Sequence, residues 1–192
     1  MKRIFYTLVF LFVTFSSSFS NDIIHIVDGS KDAKIKLIVY ESLTCPSCAN
    51  FHKDVYPELK KEFIDTGIIN IEFRNFPLDL AALNASKLAH CKNDGNSNIL
   101  HYLYLNQKSW AKGNNILEVN NNLKKIIENS KFEIEFEKCL NNKKIEDFVL
   151  EERINGHKKY KIEGTPTLII NEEKFDKTIN FKNIKKIIEK MI

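Results

Sequence analysis

The sequence predicts an α/β chain in which a parallel βαβ unit, a helical insertion and a closing ββα unit follow one another. Three observations carry this. Cys45-Pro46-Ser47-Cys48 joins a strand-like run, Lys36-Leu37-Ile38-Val39-Tyr40, to a helix-like run that begins at Ala49. From about residue 80 to about residue 160, apolar residues recur at helical spacings separated by Asn-rich breaks. A second apolar run, Thr167-Leu168-Ile169-Ile170, then leads into a short hairpin and a final amphipathic stretch.

A short first strand is expected near residues 23–27, and the turn-rich Asp28-Gly29-Ser30 follows it. The β-branched, apolar run at 35–40 suits a central strand. In the next helix Phe51, Val55, Leu59 and Phe63 form a stripe at four-residue spacing, and Pro57 inside the pattern predicts a kink and not a stop. Gly67 closes the helix, and residues 68–74 read as a second long strand, so the order strand, CxxC, helix, strand gives the parallel βαβ arrangement. The insertion shows helical spacing at Ala82/Ala85/Ala89, Ile116/Val119/Leu123/Ile126, Phe132/Phe136/Leu140 and Ile145/Phe148/Val149. After the strand at 167–170, Asn171-Glu172-Glu173 turns into Lys174-Phe175, and the closing helix places Phe181, Ile184, Ile188 and Met191 on one face.

Ahead of this domain, Lys2 and Arg3 precede an apolar stretch from Ile4 to Phe15, and Ser18 and Ser20 sit like the minus-three and minus-one residues of a cleavage site. Residues 1–20 therefore read as a secretory signal peptide removed before Asn21, because the apolar run is shorter than the ~20 residues a permanent spanning anchor needs. Cleavage leaves 172 of the 192 residues and lowers the formal charge from +4 to +2. One domain of residues 21–192 is expected, with its insertion at about 80–160. Export to the periplasm would put all four cysteines in an oxidising compartment. The charges are mixed along the chain, which gives no electrostatic case for nucleic acid or a membrane surface.

Cys45 and Cys48 sit where a strand gives way to a helix. There, unpaired backbone N–H groups and the positive end of the helix dipole favour a thiolate, so Cys45 should be more acidic than a free thiol at ~8.5. Pro46 suits the first helical position, and one turn brings the Cys48 sulfur beside that of Cys45. This is the construction of a reactive dithiol, with a static disulfide or half of a zinc site as the bland alternatives. Far along the chain, Glu163-Gly164-Thr165-Pro166-Thr167 precedes an apolar strand. A proline there cannot donate to a ladder, and its X-Pro bond is a candidate for the cis form.

Taken together, the strand–CPxC–helix unit, the strand exit Glu72-Phe73-Arg74-Asn75-Phe76-Pro77-Leu78, the helical insertion and the Gly164-Thr165-Pro166-Thr167 loop resemble the DsbA family of thioredoxin-fold thiol–disulfide oxidoreductases. The resemblance covers the chain from roughly Ile35 to the C-terminus. It implies a thioredoxin-like fold, Cys45 as exposed nucleophile, Cys48 as buried resolving thiol, and Thr165-Pro166 as the cis-proline loop that hydrogen-bonds an extended substrate. It further implies reduced or unfolded secreted proteins as substrates, a membrane redox partner that resets the dithiol, and no cofactor or metal. Family members usually carry Pro-His between the cysteines where this chain has Pro46-Ser47, so a histidine that helps stabilise the thiolate is missing. The more acidic thiol is also the better leaving group, which favours donating the disulfide to substrate, although isomerase or reductase activity stays open. Some relatives hold an additional disulfide, and likeness to them implies a Cys91–Cys139 bridge. The residues alone leave three connectivities, two buried free thiols or a regulatory pair as alternatives.

Other residues read more plainly. Glu41, at the end of the strand before Cys45, is taken as a solvated or backbone-paired carboxylate, with a buried proton acceptor below the dithiol as the alternative. His52, four after Cys48, is taken as a partly exposed packing histidine. His90, His101 and His157 lack metal-ligand spacing. Tyr102, Tyr104 and Trp110 are expected to pack the insertion. A copper-delivery protein using Cys45 and Cys48 as soft ligands, or a redox-inert binding module, are the competing functions. The first needs a further ligand close by, and the second leaves the dithiol unused.

Overall fold

The computed structural model describes residues 22–192, so the expected signal peptide at residues 1–20 lies outside the described part. Five strands, β1 (Ile26–Asp28), β2 (Ile35–Glu41), β3 (Ile69–Asn75), β4 (Thr167–Ile170) and β5 (Glu173–Lys174), form one sheet in the order β1-β3-β2-β4-β5. β2 and β3 pair in parallel from Ile35 opposite Ile69 to Glu41 opposite Asn75, while β1, β4 and β5 join antiparallel. β2 is apolar from Leu37 to Tyr40, where both its faces are covered. Leu37 and Val39 are fully buried in the larger core, while Tyr40 and Ile38 pack with Phe76, Ile162, Ile169 and Tyr160 on the other side. Each fully buried aliphatic side chain contributes roughly 1.5–3 kcal/mol to holding the layers together.

The crossover from β2 to β3 is helical over 46–64, and Phe51, Val55, Leu59 and Phe63 bury as its stripe. Pro57 does not stop it. Ordinary turns at Pro46–Asn50 and Tyr56–Leu59 alternate with wide π turns at Phe51–Val55 and Lys60–Ile64, and the Tyr56 N–H bonds to the Phe51 carbonyl five residues back. The wider turn makes room for a ring that would otherwise crowd the carbonyl four residues earlier. Gly67 ends the helix at φ +75°, a conformation that only glycine adopts at no steric cost.

Between β3 and β4 lie helices at Leu80–Ala89, Asn98–Leu105, Gln107–Trp110, Ile116–Glu128, Phe136–Leu140 and Lys143–Tyr160. The Asn-rich breaks act as helix starts. The side chains of Asn115, Asn142 and Asn180 accept from the backbone N–H groups of Glu118, Ile145 and Asn183, each cap being worth about 1 kcal/mol. Trp110 is fully buried and donates to the Leu103 carbonyl. Phe132 differs from its expected helical place, lying ahead of Phe136–Leu140 and packing edge-on against Tyr102. Cys91 and Cys139 are joined by a disulfide that ties the chain just past Leu80–Ala89 to helix Phe136–Leu140. The last helix, Phe181–Ile188, ends before Met191, which is exposed and not on the buried face. No helix of the described residues is long and apolar enough to cross a membrane.

Candidate active site

The C-terminal end of β2 delivers Ser42, Leu43, Thr44 and Cys45 to the start of the crossover helix, where Cys45 is the N-cap and Pro46 the first helical residue. Four contacts fix this loop. The Cys45 N–H donates to the Ser42 carbonyl at 2.9 Å, Thr44 donates to Asp79 at 2.8 Å, and the Gln107 amide donates to the carbonyls of Leu43 and Cys45 at 2.8 and 2.9 Å. Gln107 is buried, so each of these bonds is worth about 1 kcal/mol and losing the amide would strand two carbonyls. Gln107 sits in a polar stretch, Asn106-Gln107-Lys108, that carries no sequence pattern pointing to Cys45, which lies 62 positions away.

Both thiols are free, Cys48 with no exposed surface and Cys45 with 8%. The neighbouring Cys48 thiol is the largest influence on Cys45. With the Thr165 side chain and the backbone N–H groups of Ser47 and Cys48, it outweighs burial and brings the Cys45 pKa down to about 5. Burial first, then Cys45 and Glu41, push Cys48 far above the ordinary thiol range. The two sulfurs thus divide into a thiolate and a protonated thiol at neutral pH. The Thr165–Pro166 peptide is cis, and in its thiol form Cys45 donates to the Thr165 carbonyl at 3.2 Å across 120 positions of sequence. A groove beside the dithiol is lined by Ser47, Asn50, Phe51, Pro166, Leu168 and Phe175.

Two side chains lie elsewhere than the sequence suggested. Glu41 is 4% exposed, and its Oε2 contacts His52 Nε2 at 2.7 Å, so it is neither solvated nor backbone-paired. His52 is 3% exposed and stacks on Tyr104 with ring centroids 4.0 Å apart, not half-open to solvent. The cause is the approach of helix Asn98–Leu105, which lays Tyr104 and His101 over the π turn that carries His52. No local sequence signal announces that contact. Burial holds the Glu41 carboxyl well above the usual carboxylate range, favouring its neutral acid, and drops His52 to about 3, so His52 is a neutral imidazole near pH 7. His90 lies apart from the dithiol, against Asn75. His157 contacts the Ile162 carbonyl.

The chain matches the family model described as Thioredoxin over residues 22–190. It is 36% identical over 160 residues to a Rickettsia bellii protein named, provisionally, a protein-disulfide oxidoreductase, with 82% of this chain and 61% of that one covered. It is 30% identical over 174 residues to a Bacillus cereus protein named, also provisionally, disulfide bond formation protein D, with 84% and 76% covered. The crystal structure of α-DsbA1 from Wolbachia pipientis superposes with a TM-score of 0.77 at 30% identity, over 86% of this chain and 89% of that one. The chain thus spans 61% of the length of the Rickettsia bellii relative and 60% of one from Rickettsia prowazekii. Since the matched region takes in the sheet, the dithiol turn and the helices between β3 and β4, the chain belongs to the DsbA-like disulfide oxidoreductases of thioredoxin fold.

Proposed function

We propose that this chain is an exported oxidant that introduces disulfides into reduced secreted proteins through Cys45 and Cys48. In this reading residues 1–20 are the signal peptide, residues 21–192 form one periplasmic domain with its helical insertion at about 80–160, and a membrane partner reoxidises the dithiol. The substrate thiolate attacks Cys45 Sγ, the Cys45–Cys48 bond breaks, and Cys48 leaves with the electron pair and takes a proton from Glu41. A second substrate thiolate then attacks the substrate sulfur of the mixed disulfide, and Cys45 departs as thiolate. Two substrate thiolates lose two electrons and the dithiol gains them. Thr165 and Pro166 receive the substrate as an extended strand in the groove beside Phe51 and Phe175. Cys91–Cys139 is a structural bridge, not a second exchanging pair.

The observation that carries this reading is the placement of Cys45 at the helix N-cap against the cis Thr165–Pro166 loop, where the neighbouring Cys48 thiol and these contacts hold its pKa down to about 5. A sulfur so stable as a thiolate is the better leaving group and makes the disulfide readily donated. The test joins a potential to a trapping experiment. A Cys45–Cys48 potential above about −180 mV, with oxidative refolding of a reduced multi-disulfide protein, is the expected result, and one below about −230 mV marks a reductant instead. Cys45→Ser abolishes exchange, and Cys48→Ser accumulates mixed disulfides with substrate. Accumulation by Cys45→Ser and not by Cys48→Ser would reverse the two roles.

A further inference from the structure

Behind the dithiol, polar side chains from four elements form a continuous line. Glu41 Oε2 on β2 contacts His52 Nε2 at 2.7 Å. His52 Nδ1 contacts His101 Nδ1 at 2.7 Å, and His101 Nε2 contacts Asp28 Oδ2 on β1 at 3.2 Å. Asp28 also accepts from Ser97 and Tyr56, each at 2.7 Å. The inner end is sealed from water, whereas Asp28 and His101 line a surface pocket of about 450 Å³ together with Lys53 and Lys60. Both nitrogens of both imidazoles are used. Tyr104 stacks on His52, Tyr56 covers His101 with ring centroids 4.1 Å apart, and Phe73 closes the sheet side of both.

We propose that His52 and His101 are a two-imidazole relay that carries a proton between Glu41, behind the dithiol, and Asp28, at the surface pocket. This rests on the reading of Cys45–Cys48 as the exchanging pair with Glu41 as its proton partner. With both rings neutral, each holds one N–H, and the three contacts then admit two assignments. In one, protonated Glu41 donates to His52 Nε2, His52 Nδ1–H to His101 Nδ1, and His101 Nε2–H to an ionised Asp28. In the other every proton has moved one place outward, leaving Glu41 ionised and Asp28 protonated. Passing between them transfers one proton from Glu41 to Asp28 by exchanging both tautomers, and no buried imidazolium forms. That matters because burial makes a charge on either ring costly.

The resting state is the first assignment. Burial raises Glu41, while at Asp28 the bonds from His101, Ser97 and Tyr56 outweigh burial and hold the carboxyl low. The charges and titratable groups that bear on Glu41 are His52, His101, Tyr104, Cys45, Cys48 and Glu152. Glu41 Oε2 serves the relay, and the same carboxyl faces the Tyr104 hydroxyl and bears on Cys48, with which it exchanges its proton. Run inward, the relay refills Glu41 after Cys48 has taken its proton. Run outward, it empties Glu41 so that Cys48 can release its proton when the dithiol is reoxidised. His52 and His101 are thus positioning residues that act through Glu41.

The test follows oxidation of the reduced protein by a peptide disulfide in rapid mixing, a reaction in which Cys48 must pass its proton to a Glu41 that the relay has emptied, with the Cys45 thiolate titrated separately. His101→Gln keeps hydrogen bonding but cannot exchange tautomers, and should slow the reaction about tenfold or more, within the ~10²–10⁴-fold that a positioned proton-transfer group contributes. The Cys45 pKa stays as in the wild type, and the variant still melts in one cooperative transition. In His101→Ala, imidazole added to the buffer should restore the rate, and 1-methylimidazole, which fills the same space but has no N–H, should not. Asp28→Asn should slow the reaction like His101→Gln, and carries the test at the outer end if His101→Ala fails to fold. A His101→Gln rate within about twofold of wild type, or any rescue pattern other than imidazole alone, overturns the relay. A wild-type protein that does not exchange at all overturns the dithiol reading instead.

Discussion

Cys45 owes its acidity to its position at the head of a helix and to a neighbouring thiol that stays protonated. Ser47 stands where the family resemblance leads to the expectation of a histidine, and it contributes its backbone N–H. The pH dependence follows from the direction of the shift. The folded pKa of about 5 lies below the ordinary thiol value of 9.0, so the reduced fold binds fewer protons than the unfolded chain between those two values. Stability of the reduced form relative to Cys45→Ser should therefore rise with pH from about 5 towards 9, by at most about 1.4 kcal/mol per pH unit. It is lost as pH falls through 5. Chemical denaturation of both proteins between pH 4 and 8 measures this, and iodoacetamide alkylation of Cys45 should reach half its plateau rate near pH 5. Parallel stability curves would mean that Cys45 titrates as an ordinary thiol.

Among the elements, helix Lys143–Tyr160 shows how close packing can outweigh propensity. Gly156 lies buried in its interior, where alanine would ordinarily gain up to about 1 kcal/mol. A Cβ at that position would come within 2.5 Å of the Tyr40 ring, which is itself buried against Ile38 and Tyr160. Gly156→Ala should thus destabilise the protein by roughly 1–3 kcal/mol despite the better helix former, read as a lower urea midpoint with unchanged slope. A gain in stability would show that Tyr40 can turn aside. The same distinction between local signal and tertiary contact governs how far the sequence could be read. β2, β3, β4 and the helix stripe Phe51, Val55, Leu59 and Phe63 were legible because their periodicity reports directly which side is buried. Helices Asn98–Leu105 and Gln107–Trp110 were seen only as an aromatic run, since Tyr102, Tyr104 and Trp110 announce packing without a period. The dithiol was legible from four adjacent residues. Gln107, the buried Glu41–His52 pair and the link through His101 to Asp28 were not, because each depends on which helix settles over which strand end.

Across the whole molecule, the two cores on either face of the sheet hold the site, and the Cys91–Cys139 bond ties the chain just past helix Leu80–Ala89 to helix Phe136–Leu140. That bond closes a loop of 48 positions, for which chain entropy gives a stabilisation of about 4 kcal/mol. Replacing both cysteines by alanine should cost roughly 2–4 kcal/mol in denaturant titrations and leave the Cys45 pKa near 5. Graded reduction followed by peptide mapping should open Cys45–Cys48 first, a structural bridge typically having a potential below about −300 mV. Simultaneous opening would assign Cys91–Cys139 to the exchanging chemistry. The contact between Cys45 and Thr165 has a further consequence in time. A chain emerging N-terminus first presents its cysteines before the loop that faces them has been made, and 120 residues take roughly 6–24 s to synthesise. Through that interval Cys45 lacks the Thr165 contacts, and until Cys139 has also emerged Cys91 has no native partner within the chain. A wrong bridge between Cys91 and the CxxC turn is therefore most accessible early in biogenesis. The four cysteines of this thiol–disulfide oxidoreductase are thus sorted by the order in which they appear, and the arrival of β4 closes that choice.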